Sequence, residues 1–145
     1  MRTRAGLLPV ALVALAVLSG CSNAEPALPE ATRTTGGDVG AVSTAADGLQ
    51  EITLETGDDY VFTPATFTVA PGQVRLTVRN VAEQMVHNFE FSAGQGPAAI
   101  VEKIPILAPG DVETIEFTVA ATGDYQFECT FHLALGQVGT MTVQG

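Results

Sequence analysis

From Gln50 onward, apolar and polar residues alternate in short runs separated by turn residues. In "EITLET", Ile52 and Leu54 fall on one face, and in "DDYVFT", Tyr60 and Phe62 do; "FTVAPG" ends in a Pro-Gly turn. "QVRLTVRN" sets Val74, Leu76 and Val78 against Arg75, Thr77 and Arg79. "MVHNFEF" puts His87, Phe89 and Phe91 on one face and Asn88 and Glu90 on the other. After the turn that opens "APGDVETIEFTVA", Ile115, Phe117 and Val119 point inward; in "TGDYQFEC", Tyr125, Phe127 and Cys129 share a face, and "GTMTVQG" closes the chain. A period of two, rich in β-branched and aromatic residues, predicts strands with one wet face. Turns at intervals of about ten residues predict an all-β fold, a Greek-key antiparallel β-sandwich over residues 49–145. That length suffices for one core without a disulfide. "AGQGPAAIVEKIPIL" is less regular and reads as a short helix or loop before a strand around residues 101–107.

The first 48 residues lack this pattern. Arg2 and Arg4 precede an apolar run from Ala5 to Leu18, the layout of a secretory signal. The run is short for a spanning helix, which needs about 20 residues. It ends in Leu18-Ser19-Gly20-Cys21, which resembles a bacterial lipobox. Residues 1–20 are therefore expected to be a lipoprotein signal peptide, with Cys21 as the lipidation site and the chain anchored outside the cytoplasm. A plain membrane anchor is the alternative, and it leaves the remainder outside the cytoplasm too. Residues 21–48 carry no aromatic side chain and are rich in Ala, Thr, Gly and Pro. They read as a flexible linker of roughly 30 Å mean span.

Charge narrows the partners. All 16 Asp and Glu lie beyond residue 20, against Arg33, Arg75, Arg79 and Lys103, so the mature chain carries −12. This argues against nucleic acid and against direct adhesion to anionic lipid.

Cysteine and histidine usage changes the picture further. There are two Cys. With Cys21 lipidated, Cys129 has no disulfide partner within the chain, and a lone thiol in an oxidising compartment is a liability unless buried or used. The domain also holds the chain's two His. His132 follows Cys129 after two residues, in a loop rich in Leu, Ala and Gly; His87 lies on a distant strand. One thiolate and two imidazoles are the ligand set of the trigonal blue-copper site. Taken singly, a buried Cys is an ordinary small hydrophobe, and a strand His is commonly a core residue. Their occurrence together, with no other Cys or His in the domain, points to a metal.

"DYQFECTFHLALGQVGTMTV" resembles the C-terminal loop of the plastocyanin-like cupredoxins: an aromatic-rich strand, Cys, two residues, His, four residues, an axial ligand and a closing strand. "MVHNFEF" is similar to their upstream His-Asn segment. The resemblance covers residues 50–145 in the main. It implies one copper ion bound by His87, Cys129 and His132, with Asn88 tying the two ligand loops together. Thr130 and the carbonyl of Val86 would lie around the ligands. The departure is Gln137, where the family usually has Met; Gln is the axial residue of the stellacyanin-like branch. An amide oxygen is a harder donor than a thioether, favours Cu(II) and lowers the reduction potential. Met141, in the closing strand, reads as core, and Met85 lies two residues before His87.

These expectations define a monomeric, lipid-anchored type 1 copper protein that carries single electrons between redox protein partners and is not an enzyme. His132, ringed by Phe131, Leu133, Ala134 and Leu135, would be the electron port, with Phe89, Phe91, Tyr125 and Phe127 keeping water from the metal. Three alternatives stay open. One is a module that delivers or buffers copper, which a Met- or His-rich segment would support. Another is an enzyme using an open copper position or a Cys–His nucleophile. The last is a metal-free sandwich that binds a protein.

Overall fold

The computed structural model describes residues 39–145. The expected signal peptide (residues 1–20), the expected lipidation site Cys21 and the linker as far as residue 38 lie outside the described residues.

Among the described residues, ten strands form two five-stranded sheets. They are β1 (Ser43–Thr44), β2 (Gln50–Thr56), β3 (Phe62–Thr63), β4 (Thr66–Val69), β5 (Gly72–Asn80), β6 (His87–Phe91), β7 (Lys103–Leu107), β8 (Val112–Val119), β9 (Gly123–Glu128) and β10 (Val138–Val143). The first sheet runs β1-β2-β5-β8 with β3 paired to β2; the second runs β4-β10-β9-β6-β7. Most pairings are antiparallel, but β2 runs parallel to β5 and β4 parallel to β10. Alternation of apolar and polar residues fixes which face is buried and is silent on strand direction.

The inward faces meet in one core. Ile52, Leu54, Val74, Leu76, Val78, Phe117 and Val119 come from the first sheet, and Phe67, Phe89, Phe127, Tyr125, Met141 and Val143 from the second. Each such side chain contributes about 1.5–3 kcal/mol on burial. Phe62 stands between the layers, its ring centroid 5.8 Å from Phe89 and 5.3 Å from Phe127. Gly139 lets this cluster close: a Cβ there would collide with the Phe127 ring and stand 2.6 Å from the Ala65 carbonyl.

Three expectations need correction. Tyr60 does not share the core face with Phe62; "DDY" is a loop, Tyr60 has φ 58°, and the strand begins at Phe62. Asn88 leaves the wet face it was to share with Glu90 and is buried, because the loop after β9 covers it. The 21–48 linker runs into the fold, since Ser43 and Thr44 pair with Glu51 and Gln50. The strand expected around residues 101–107 is present as Lys103–Leu107, preceded by turns, the loop of the two alternatives. Its register against β6 shifts between His87 and Phe89, where Pro105 and the adjacent Ile106 are both exposed. A bulge tolerates the missing proline N–H.

Candidate metal centre

Three loops at one end of the sandwich assemble the site. The first follows β9. Cys129 is the residue after the strand, and its N–H donates to the Gln137 carbonyl at 3.1 Å. The chain then folds back on itself: His132 N–H to the Cys129 carbonyl at 3.1 Å, Leu135 N–H to that of His132 at 2.8 Å, Gly136 N–H to that of Leu133 at 3.0 Å. The middle of the loop is one turn of 3-10 helix, Leu133–Leu135, and Gly136 ends it at φ 88°, a left-handed conformation suited to glycine. This closed loop brings Cys129, His132 and Gln137 to one point.

The second loop, residues 81–86, delivers His87. Asn80, buried at the end of β5, donates through Nδ2 to the carbonyls of Met85 (2.7 Å) and Leu107 (2.9 Å) and accepts the Ala82 N–H at 2.9 Å. The carboxylate of Asp58 accepts the N–H groups of Glu83 (2.8 Å), Gln84 (3.4 Å) and Met85 (3.3 Å). These bonds hold its pKa below the ordinary carboxylate value, with the Glu83 N–H the largest cause. Asn88 then locks the two ligand loops together. Its Nδ2 donates to Thr130 Oγ1, and its Oδ1 accepts the Thr130 N–H, both at 2.7 Å.

The third loop, residues 57–61, supplies no ligand atom, but the positive φ of Tyr60 turns its ring onto His132, centroid to centroid 5.0 Å.

The donor atoms converge. One ligand atom each from His87, Cys129 and His132 lies within 4.8 Å of the others. Cys129 Sγ is 3.9 Å from His87 Nδ1 and 3.5 Å from His132 Nδ1. Gln137 Oε1 is 3.0 Å from the first of these nitrogens and 3.1 Å from the second. His87, Cys129 and Gln137 are fully buried and His132 half-buried. Burial pulls the His87 pKa below the usual imidazole value; repulsion from His132 adds to this, while Gln137, the Gly57 backbone and Asp58 oppose it. A neutral imidazole keeps a lone pair for a metal. His87 Nε2, on the far side of the ring, is buried with no hydrogen-bond partner. A proton there leaves the Nδ1 lone pair facing the cluster.

An ion fits this arrangement. Donor separations of 3.5 and 3.9 Å match atoms that share one ion at roughly 2.0–2.3 Å from each. A soft thiolate, two imidazoles and a weak oxygen donor suit copper. Val86, the residue before His87, is 38% exposed, and Phe131 (53%), Leu133 (45%) and Leu135 (61%), in the loop that carries His132, are exposed. Sequence reasoning missed Thr56, Asp58, Tyr60 and Asn80. A Thr in a strand and an Asp in a turn are ordinary there, so only their contacts mark them.

The chain is similar to known proteins. Residues 50–144 match the family described as copper binding proteins, plastocyanin/azurin family. Plastocyanin A/B of Petroselinum crispum is 38% identical over 97 residues, covering 64% of this chain and 98% of that protein. Plastocyanin of Nostoc punctiforme is 31% identical over 116 residues, covering 72% of this chain and 82% of its own. Among solved structures, sodium-dithionite-reduced auracyanin from the photosynthetic bacterium Roseiflexus castenholzii superposes with a TM-score of 0.59 at 26% identity, over 71% of this chain and all of that one.

Proposed function

The chain belongs to the plastocyanin/azurin family of copper-binding proteins, and from that premise we propose that it is a type 1 copper protein that carries single electrons outside the cytoplasm. The convergence of His87, Cys129 and His132 carries this reading. Copper, when bound, supplies a one-electron Cu(II)/Cu(I) couple. The chain's part is to hold the donors still. Both sheets, the closed 129–137 loop and the Asn88 clasp hold them in place, so little rearrangement would accompany a change of oxidation state. Gln137 would offer Oε1 to the copper, and an oxygen donor there would bias the site toward Cu(II). Val86, just before His87, offers a backbone carbonyl on the other side.

Burial separates this reading from its rivals. A copper-delivery module needs ligands within reach of an acceptor, and an enzyme needs an open position; His87 and Cys129 are both 0% exposed. His132 alone reaches toward solvent, through Phe131, Leu133 and Leu135, and is the port for redox partners. The signal-like residues 1–20 and the lipobox Cys21 support a lipid-anchored protein, with residues 21–42 as its tether and residues 43–145, which begin with β1, as the working domain.

The test is spectroscopic. The full chain is stripped of metal and given one equivalent of Cu(II). An intense thiolate-to-copper band with narrow EPR hyperfine splitting, lost in Cys129→Ala, is expected. A pale spectrum with ordinary splitting would refute the reading.

A further inference from the structure

Resting on the reading of Gln137 as a copper donor, we infer that Thr56 is the residue that anchors its amide at the site. A glutamine amide has nearly the same shape in its two flipped positions but opposite polarity at its two ends. Turned one way it offers a carbonyl lone pair to a cation; turned the other it presents two N–H hydrogens and cannot bind. Gln137 is 0% exposed, so bulk water does not choose between them. The far end of the amide is held by Thr56, whose Oγ1 accepts from Nε2 at 2.6 Å; a hydroxyl can donate as well as accept, so Thr56 fixes where the amide sits while the cation draws its oxygen inward. With the nitrogen held there, Oε1 faces both imidazole Nδ1 atoms.

Thr56 is built as an anchor. It takes the last inward position of β2, after Ile52 and Leu54, and is itself 1% exposed. A valine of nearly the same shape suits such an apolar position, so the hydroxyl is the feature that packing does not explain. Its backbone is pinned on both sides, paired with Asn80 of β5 and Phe62 of β3, and its carbonyl accepts the Val81 N–H at 2.8 Å. A β-branched side chain on a pinned strand has little χ1 freedom. Thr56 is thus a positioning residue: its hydroxyl hydrogen-bonds Gln137 and none of the other donor side chains, and through Gln137 it keeps a hard oxygen at the site, which favours Cu(II).

The experiment measures the reduction potential, visible spectrum and EPR of the copper-loaded full chain and of Thr56→Val, Thr56→Ser, Gln137→Met and the Thr56→Val/Gln137→Met double variant. Thr56→Val is expected to lower the Cu(II)-to-Cu(I) affinity ratio about tenfold, a rise of about 59 mV in potential, with altered hyperfine splitting. Thr56→Ser keeps the hydroxyl and stays near native. In the Gln137→Met background, where no amide needs orienting, Thr56→Val adds nothing. An equal shift with and without Gln137 would overturn the inference, because Thr56 would then act through local polarity. Should Gln137→Met raise the potential while Thr56→Val is silent, the inference alone falls. If Gln137→Met itself raises nothing, the axial reading falls and takes this with it. Should Thr56→Val fail to fold, the copper-free native chain decides by NMR. Slow solvent exchange of the Gln137 side-chain N–H supports the anchor, and exchange as fast as an exposed amide rules it out.

Discussion

Asn88 makes two hydrogen bonds to one residue of the facing loop, using both ends of its amide at once. No other side chain links the His87 strand to the Cys129 loop so directly among the described residues, since the remaining contacts run between the donor atoms themselves. Removing it should loosen the site before metal binds. Asn88→Ala is expected to cost the copper-free protein about 1–3 kcal/mol, read from denaturant unfolding, and to speed copper loss to a chelator. Unchanged stability and unchanged release would mean that the closed loop holds itself. The reactive residues were legible in the sequence because they are rare. With one Cys and two His in the domain, the trio needed no structure to find it. Asn88 was legible only beside His87, and its burial was not, because alternation assigned it to the wet face. Thr56 was invisible: nothing in its strand distinguishes a hydroxyl placed to hold an amide from one placed for β-propensity.

At the scale of elements, the loop between β5 and β6 shows how a polar side chain substitutes for regular structure. Its N–H groups at Glu83, Gln84 and Met85 have no sheet partner and turn to Asp58 instead. A carboxylate stabilised this way titrates below its ordinary 3.8. Its stabilising effect is therefore complete above that value and is lost as pH falls through the depressed pKa. The amide resonances of residues 83–85 should accordingly move together in a pH titration with a midpoint under 3.8, and Asp58→Asn should abolish that step. A midpoint at or above the ordinary value would show that the carboxylate does not hold the loop. Strand faces in this domain were readable from period-two alternation, as in β5, where Val74, Leu76 and Val78 are all 0% exposed. The parallel pairings were not, because side-chain alternation is the same in either direction. The 3-10 turn at Leu133–Leu135 was not either, since backbone bonds define it and its side chains all face outward.

Across the whole molecule, chemistry is divided between ends and flanks. The outer face of the first sheet is a charged ladder: Arg75 bridges Glu51 and Glu116, each at 2.7 Å, and Arg79 lies 3.7 Å from Glu55. These exposed pairs add little to stability. They do keep that face wet, whereas the end that holds His132 presents Phe131, Leu133 and Leu135 to solvent. Electron self-exchange between oxidised and reduced copies tests whether that end is the port, without knowledge of any partner. Two copies must bring their His132 faces together, against the repulsion of two strongly acidic chains. Raising salt should therefore speed exchange in the native protein as the Debye length falls toward 10 Å at 0.1 M. Leu135→Asp puts one more negative charge on each side of that contact. Like charges a few ångströms apart cost about 1 kcal/mol or more, so exchange at low salt should slow roughly five- to tenfold and recover in part as salt rises. Leu135 is 61% exposed and makes none of the donor contacts, so the reduction potential should not move. NMR line broadening in mixed-oxidation samples gives the rate. A rate that ignores the new charge at every ionic strength would mean that electrons leave by another face.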